Sequence, residues 1–140
     1  ACMALLEQEN MPLDGCRATV VGRSLVIGKP VGMLLMQKNA TVTFAHSHTR
    51  DLPSITRGAD VLIVAAGKRG LIGKEHVSPN QIVLDVGMHF DENGKLTGDV
   101  RYDEVADIVS AITPARGGVG SVTTCILAGH VVESAEKSLS

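Results

Sequence analysis

The amino-acid sequence predicts an α/β fold, a mostly parallel sheet between layers of helix. Three observations carry this. Short β-branched runs recur along the chain and alternate with stretches of helical periodicity. The runs are apolar throughout rather than at every second position, as in strands buried on both faces. Glycines close several of them, where a strand must hand the chain to a loop.

The elements follow in order. "ACMALLEQEN" (1–10) has apolar residues at helical spacing and opens the chain as a helix. "RATVVG" (17–22) is a strand stopped by Gly22. "PVGMLLMQKN" (30–39) is a helix with Pro30 in its first turn, where a missing N–H costs nothing. "ATVTFAHS" (40–47) is the second strand. "LPSITRG" (52–58) is a short helix with Pro53 early and Gly58 at its end. "DVLIVAAG" (60–67) and "QIVLDVGMHF" (81–90) are two further strands. "DENGKLTG" (91–98) breaks the rhythm, and its Asn93-Gly94 pair predicts a tight turn or small hairpin outside the main winding. "RYDEVADIV" (101–109) is a helix. "SAITPARGGVG" (110–120) begins as a strand and becomes a glycine loop, and "SVTTCILAGHVVESAEKS" (121–138) is a long final helix.

Composition narrows the function classes. The 140 residues fit one domain, and 44% of them are apolar, enough for a folded core. A formal charge of −2 argues against a nucleic-acid binder. With no Trp, one Tyr and two Phe, there is no platform for stacking bases. No apolar run is long enough to span a bilayer, and the N-terminal segment does not read as a signal peptide. Cys2, Cys16 and Cys125 are far apart and odd in number, which disfavours a disulfide framework or a zinc site. Small buried or half-buried thiols in a reducing compartment are expected instead, and the expected location is cytoplasmic.

The stretch "VVGRSLVIGKPVG" (20–32) carries the first functional signal. It is not a P-loop. Gly22 and Gly28 enclose five residues instead of four, and Lys29 is followed by Pro30 where a hydroxyl would hold Mg²⁺. The dinucleotide pattern G-x-G-x-x-G is absent as written, but its context is present: strand, glycine turn, helix. Gly22 permits a sharp turn, Gly28 and Gly32 permit close approach, and a helix start offers N–H groups to a pyrophosphate. Ser24 can donate to a phosphate oxygen. The same features also fit a glycine-rich connection with no ligand.

The second strand refines the reading. NAD sites place an acid about 20 residues past the glycine turn, on the ribose 2′-hydroxyl. Here the strand ends "AHSHTR" (45–50), with Ser47, Thr49, Arg50 and two histidines but no acid. Arg23 can point the same way. A cationic, hydroxylic end suits a 2′-phosphate. A charge-assisted hydrogen bond contributes roughly 1.5–3 kcal/mol, so one or two such contacts at the lower end favour NADP over NAD by about tenfold to several hundredfold. Arg50 also fits a solvated surface charge, and His46 and His48 are expected to be structural or surface residues, not metal ligands. "AAG" (65–67), "DVGM" (85–88) and "GGVG" (117–120) fall at other strand ends, where open α/β sheets bind ligands.

These motifs together, "VVGRSLVIGKPVGMLL", "ATVTFAHSHT", "VLDVGMH", "TGDV" and "ITPARGGVGSVTT" in this order, closely resemble the bifunctional methylenetetrahydrofolate dehydrogenase/methenyltetrahydrofolate cyclohydrolase family. The resemblance implies a Rossmann-like three-layer α/β/α sandwich with a mostly parallel sheet. It implies that residues 1–140, which begin at Ala1 rather than Met, are the C-terminal NAD(P)-binding domain, entered partway through a connecting helix. It implies cofactor contacts at Gly22, Arg23 and Ser24, at Ser47 near the adenosine ribose or its 2′-phosphate, through the backbone of Met88, and at Thr123 near the nicotinamide. The implied cofactor is NADP and the implied substrate a tetrahydrofolate derivative. The 5,10-methylene form is oxidised, and the methenyl product is then hydrolysed to 10-formyltetrahydrofolate. A homodimer is implied, formed largely through this domain.

The family's catalytic lysine and tyrosine belong to the N-terminal domain, so no catalytic residue is assigned here. Lys29, Lys68 and Lys74 read as solvated loop cations. The chain alone is expected to bind cofactor without turning over. Arg116 stands where the family carries Pro, Ser121-Val122 where it carries Pro-Met, and Met88 where it carries Ile. The first change removes a fixed φ near the folate, and the last conserves volume. Two other readings are an NADP domain of the shikimate dehydrogenase type and a non-catalytic dinucleotide-sensing module.

Overall fold

The computed structural model describes residues 2–24 and 27–114. Its sheet has five parallel strands: β1 (Arg17–Val21), β2 (Thr41–Ala45), β3 (Val61–Val64), β4 (Ile82–Asp85) and β7 (Ala111–Ile112). Their spatial order is β2-β1-β3-β4-β7. In register, Val20 lies between Phe44 and Ile63, Ile63 pairs with Leu84, and Val83 with Ile112. A separate antiparallel hairpin joins β5 (His89–Phe90) to β6 (Leu96–Thr97). The helices are α1 (Cys2–Gln8), α2 (Gly28–Gln37), α3 (Leu52–Arg57) and α4 (Tyr102–Val105), with a 3₁₀ turn at Lys74–His76.

Period-two geometry sends alternate side chains to opposite faces, and both faces are covered. On one, Ala18, Val20, Val61, Ile63 and Leu84 pack with Leu6 of α1 and Leu35 of α2. On the other, Val21, Ala45, Leu62, Val64 and Val83 pack with Ile72, Val77, Val105 and Val109. Each fully buried Val, Leu or Ile contributes roughly 1.5–3 kcal/mol, so these central strands form the stable floor of the site. Gln81, 1% exposed, seals the end of α3: its amide donates to the carbonyls of Thr56 (2.6 Å) and Ala59 (2.8 Å).

The predicted strands and the described helices are present with shifted ends, and each shift has a local cause. α2 starts at Gly28 instead of Pro30 because Ser24 supplies its first acceptors: the Oγ for Ile27 N (3.1 Å) and the carbonyl for Lys29 N (3.0 Å). It ends at Gln37 because Asn39 is left-handed, with φ 65°. β2 stops at Ala45 because the His46 amide turns to Thr49 Oγ1 (2.8 Å). β3 stops at Val64, so "AAG" is loop. The expected strand 81–90 is two elements: β4 ends at Asp85, and His89–Phe90 belongs to the hairpin around Asn93-Gly94. α4 is shorter than 101–109 because Ser110 N must return to the Gln81 carbonyl (2.9 Å) to begin β7. The expected helix 121–138 and the glycine loop 117–120 lie outside the described residues.

Candidate functional site

β1 connects through α2 to β2 on one side, and the chain then crosses to β3 on the other side of β1. The carboxyl ends of β1 and β3 therefore flank the point where the winding reverses, the usual ligand position in such sheets.

The β1 end is built from two glycines. Gly22 has φ 126°, and its amide donates to the Ala45 carbonyl (2.8 Å). A Cβ there would strike the carbonyl of Ala65 in the β3 loop. A Cβ on Gly28 would lie 2.6 Å from the Gly22 carbonyl oxygen and 3.0 Å from the Arg23 amide. Side chains at either place would force these backbone segments apart. Arg23 and Ser24 are exposed on this loop. The Ser24 Oγ accepts from the amides of Ile27 (3.1 Å) and Gly28 (3.4 Å). This narrows the expectation of free helix N–H groups: the amides of Ile27, Gly28 and Lys29 already donate to Ser24, whose hydroxyl hydrogen is left to donate outward.

The β2 end is a closed turn. His46 N donates to Thr49 Oγ1 (2.8 Å), Thr49 N to the His46 carbonyl (3.0 Å), and His48 N to His46 Nδ1 (3.2 Å). Thr49 and His46 thus shape the loop, and Ser47 stands exposed at its tip.

Between these ends and the β3 loop lies a cleft of about 390 Å³. Gly22, Arg23, Ser47 and Thr49 form one part of its wall, and Ala66 and Lys68 another. Val21, Leu52 and Leu71 supply apolar surface. Two cations and two hydroxyl side chains border it, and none of its lining residues is acidic. A larger hollow of about 450 Å³ lies beside the hairpin and α4. It mixes Arg69, Lys95 and Arg101 with Asp85, Asp103 and Glu104, and reaches Pro114, the last described residue. The smaller cleft lies at the winding reversal and has one sign of charge, so it is the better ligand site.

Of the expected site residues, Gly22, Arg23 and Ser47 line this cleft, and Ser24 adjoins it on the same loop. Met88 does not share it: the residue lies past β4, 63% exposed, where the chain enters the hairpin. Thr123 lies outside the described residues. Lys68, read as a solvated loop cation, is on the cleft rim.

Two buried carboxylates escaped the sequence reading. Asp85 accepts from the amides of Gly87 (2.9 Å), Asp99 (3.1 Å) and Val100 (3.0 Å), and burial pushes its carboxyl above the ordinary range. Asp99, 0% exposed, accepts from Ala66 N (2.8 Å) and Gly67 N (3.0 Å) and lies 2.7 Å from His89 Nε2. The available signal was "TGDV" itself, an acid set between Gly98 and Val100.

Comparison with known proteins gives a consistent result. The family described as tetrahydrofolate dehydrogenase/cyclohydrolase, NAD(P)-binding domain, matches residues 1–139. The bifunctional protein FolD of Carboxydothermus hydrogenoformans is 49% identical over 138 residues, 97% of this chain and 48% of that protein. The crystal structure of the bifunctional FolD dehydrogenase/cyclohydrolase from Campylobacter jejuni superposes with a TM-score of 0.93 at 40% identity, over 98% of this chain and 49% of that one. The Trypanosoma brucei enzyme, solved with NADP cofactor and inhibitor, has a TM-score of 0.89 at 36% identity, covering 99% of this chain and 49% of that one. The chain spans about half the length of the curated relatives it matches. Sheet order, glycine-built strand end and family match agree, and the chain belongs to the tetrahydrofolate dehydrogenase/cyclohydrolase family, as its NAD(P)-binding domain.

Proposed function

We propose that this chain binds NADP in the cleft at the β1 and β3 ends. In this reading it is the cofactor half of an enzyme that oxidises 5,10-methylenetetrahydrofolate and hydrolyses the methenyl product. The observation that carries the reading is the cleft rim: Arg23, Lys68 and Ser47 border it, and no acid stands where an NAD site would need one for the ribose hydroxyl. The strand end suits a dinucleotide: Gly22 and Gly28 let the β1 end, the β3 loop and the start of α2 pack backbone to backbone, with Arg23 and Ser24 left exposed on the loop.

Arg23 and Ser47 would hold the 2′-phosphate, with Lys68 as a second cation. Ser24 would donate its hydroxyl hydrogen to the pyrophosphate. Leu52 and Leu71 would provide apolar surface for the adenine. The backbone of Met88 would contact the cofactor, and Thr123 would serve the nicotinamide end. NADP, when bound, supplies the hydride acceptor. The chain's own part is to bind, to orient and to keep the pyrophosphate against a rigid strand end.

The whole reaction needs a second domain, which would contribute the folate site and the catalytic residues. We therefore assign no catalytic residue to this chain and expect no turnover from it alone. A homodimer and a cytoplasmic setting belong to the same proposal; among the described residues no helix is long and apolar enough to cross a membrane. The shikimate dehydrogenase type and a sensing module are not favoured, since the family match and the FolD relatives both cover nearly the whole chain.

Calorimetric titration of the chain with NADP⁺ and, separately, NAD⁺ tests the reading. NADP⁺ should bind at least about tenfold more tightly, the discrimination of one charge-assisted contact. Equal binding removes the roles of Arg23 and Ser47. Failure of both to bind, or dehydrogenase turnover by the isolated chain, overturns the assignment of this chain as the cofactor half.

A further inference from the structure

We propose that Asp99 and His89 are positioning residues: together they hold the β3 loop, one wall of the cofactor cleft, in its binding pose. The inference rests on the NADP reading above and adds residues outside the cleft lining.

The β3 loop has little to hold it by itself. Ala66 and Gly67 are exposed, and Gly67 turns the chain with φ 70°. The amides of both residues donate to one oxygen, Asp99 Oδ2, at 2.8 and 3.0 Å. The other oxygen, Oδ1, lies 2.7 Å from His89 Nε2. Asp99 is itself a fixed post. Its carbonyl accepts from Ile72 N (3.0 Å), and its own amide donates to Asp85 Oδ1 (3.1 Å).

The energetics favour function over mere stability as the reason for this arrangement. A fully buried carboxylate carries a large desolvation cost and is retained only where its donors are all in place. Ala66 lines the cleft, so the carboxylate's grip sets the position of that wall. Binding sites need their walls held to within about half an ångström, and a charged acceptor shared by two adjacent amides does that. His89 is the adjustable member. Its side chain is 25% exposed, and it sits at the start of the hairpin, next to Met88. The ring therefore ties the pose of the hairpin to the pose of the β3 loop through one buried anion.

His89→Phe and His89→Gln, made in this chain, separate positioning from bulk stability. Phe keeps the bulk and removes the donor; the Gln amide can return a donor to the Nε2 position. Three quantities are measured for each: the NADP⁺ dissociation constant by calorimetry, the melting temperature, and amide hydrogen exchange at Ala66 and Gly67. His89→Phe should weaken NADP⁺ binding by about tenfold or more and speed exchange at those two amides, with exchange across β3 unchanged. His89→Gln should restore both. If His89→Phe does not fold, His89→Ala at this partly exposed position carries the same comparison. Unchanged affinity with the two amides still protected would overturn the proposal, as would failure of Gln to rescue. Absence of NADP⁺ binding by the wild-type chain would instead count against the cofactor reading, and the exchange comparison would still decide whether His89 holds the loop.

Discussion

Gly28 stands against Gly22 across the first loop, so closely that a methyl group on Gly28 would lie 2.6 Å from the Gly22 carbonyl oxygen. The start of α2 thus packs on the end of β1 only because Gly28 carries no side chain. Gly28→Ala should push the helix start off the strand end. Overpacking of this kind costs roughly 1–3 kcal/mol, to be read from urea unfolding. Affinity for NADP⁺ should fall further than stability alone explains, because the displaced segment is the cradle. Gly22→Ala should be worse, since φ 126° is strained for any L side chain and the new methyl meets the Ala65 carbonyl.

Arg23 and Lys68 border the same cleft from different loops. Arg23→Ala should weaken NADP⁺ by about tenfold to a hundredfold, as expected for loss of a charge-assisted contact of roughly 1.5–3 kcal/mol. NAD⁺ affinity should change little. Lys68→Ala should have a smaller effect in the same direction, because a flexible ammonium makes a point contact where a guanidinium makes a forked one. Titrations at low and high salt check the assignment: the NADP⁺ preference should shrink as salt screens the exposed cations. A variant that loses NAD⁺ and NADP⁺ binding equally would mean that Arg23 shapes the loop and does not read the phosphate.

His76 gives a pH dependence with a defined sign. It is buried, and its Nδ1 accepts the Gly73 amide at 3.1 Å, which requires the neutral ring. Burial pulls its pKa below the ordinary 6.5; Arg101 and Arg57 push the same way, and the Glu75 carboxylate opposes them. The folded protein therefore binds this proton less readily than the unfolded chain. The resulting stability is fully present above about pH 6.5 and is lost as pH falls toward the lowered folded value. Asp85 has the opposite sign: its contribution is full below the ordinary 3.8 and is lost as pH rises through its raised folded value. Urea midpoints measured across acid pH for wild type and His76→Gln isolate the histidine, because Asp85 is common to both. The slope below pH 6.5 should flatten in the variant; an unchanged slope would assign the effect elsewhere.

The strand centres are legible in the sequence because Val61–Val64 and Ile82–Leu84 are unbroken apolar runs, and a parallel sheet covered on both faces demands that. The strand ends are not, because distant side chains set them. β3 stops where Asp99, 33 residues beyond Ala66, takes the next amides. The Asp85 amide donates to Thr113 Oγ1 at 2.9 Å, across 28 residues. The candidate site divides the same way. Gly22, Arg23 and Ser47 follow the local logic of a strand-end loop and lie on one cleft. Lys68 reaches that cleft only because Gly67 turns the loop, and Asp99 acts only through its fold partners.

Self-association is the last test. Among the described residues β2 lies at the sheet edge, and its Phe44 ring laps over Gly32 of α2 while staying 40% exposed. Met36, one turn further along that helix, is 52% exposed, and Met33 is 54% exposed. An open strand edge beside exposed Phe and Met side chains is a surface that soluble proteins usually cover. A second copy can cover it across a two-fold axis, because each copy presents the same edge and the same apolar stripe. Met36→Lys places a charge at the centre of that stripe. Because Met36 is exposed, the fold should lose no more than about 0.5 kcal/mol. Sedimentation equilibrium should find the wild-type chain dimeric and the variant shifted to monomer, with the melting curve of the variant becoming independent of concentration. A wild type that is monomeric at high micromolar concentration would overturn the homodimer proposed above, and a variant that stays fully dimeric would remove β2 and α2 from its interface.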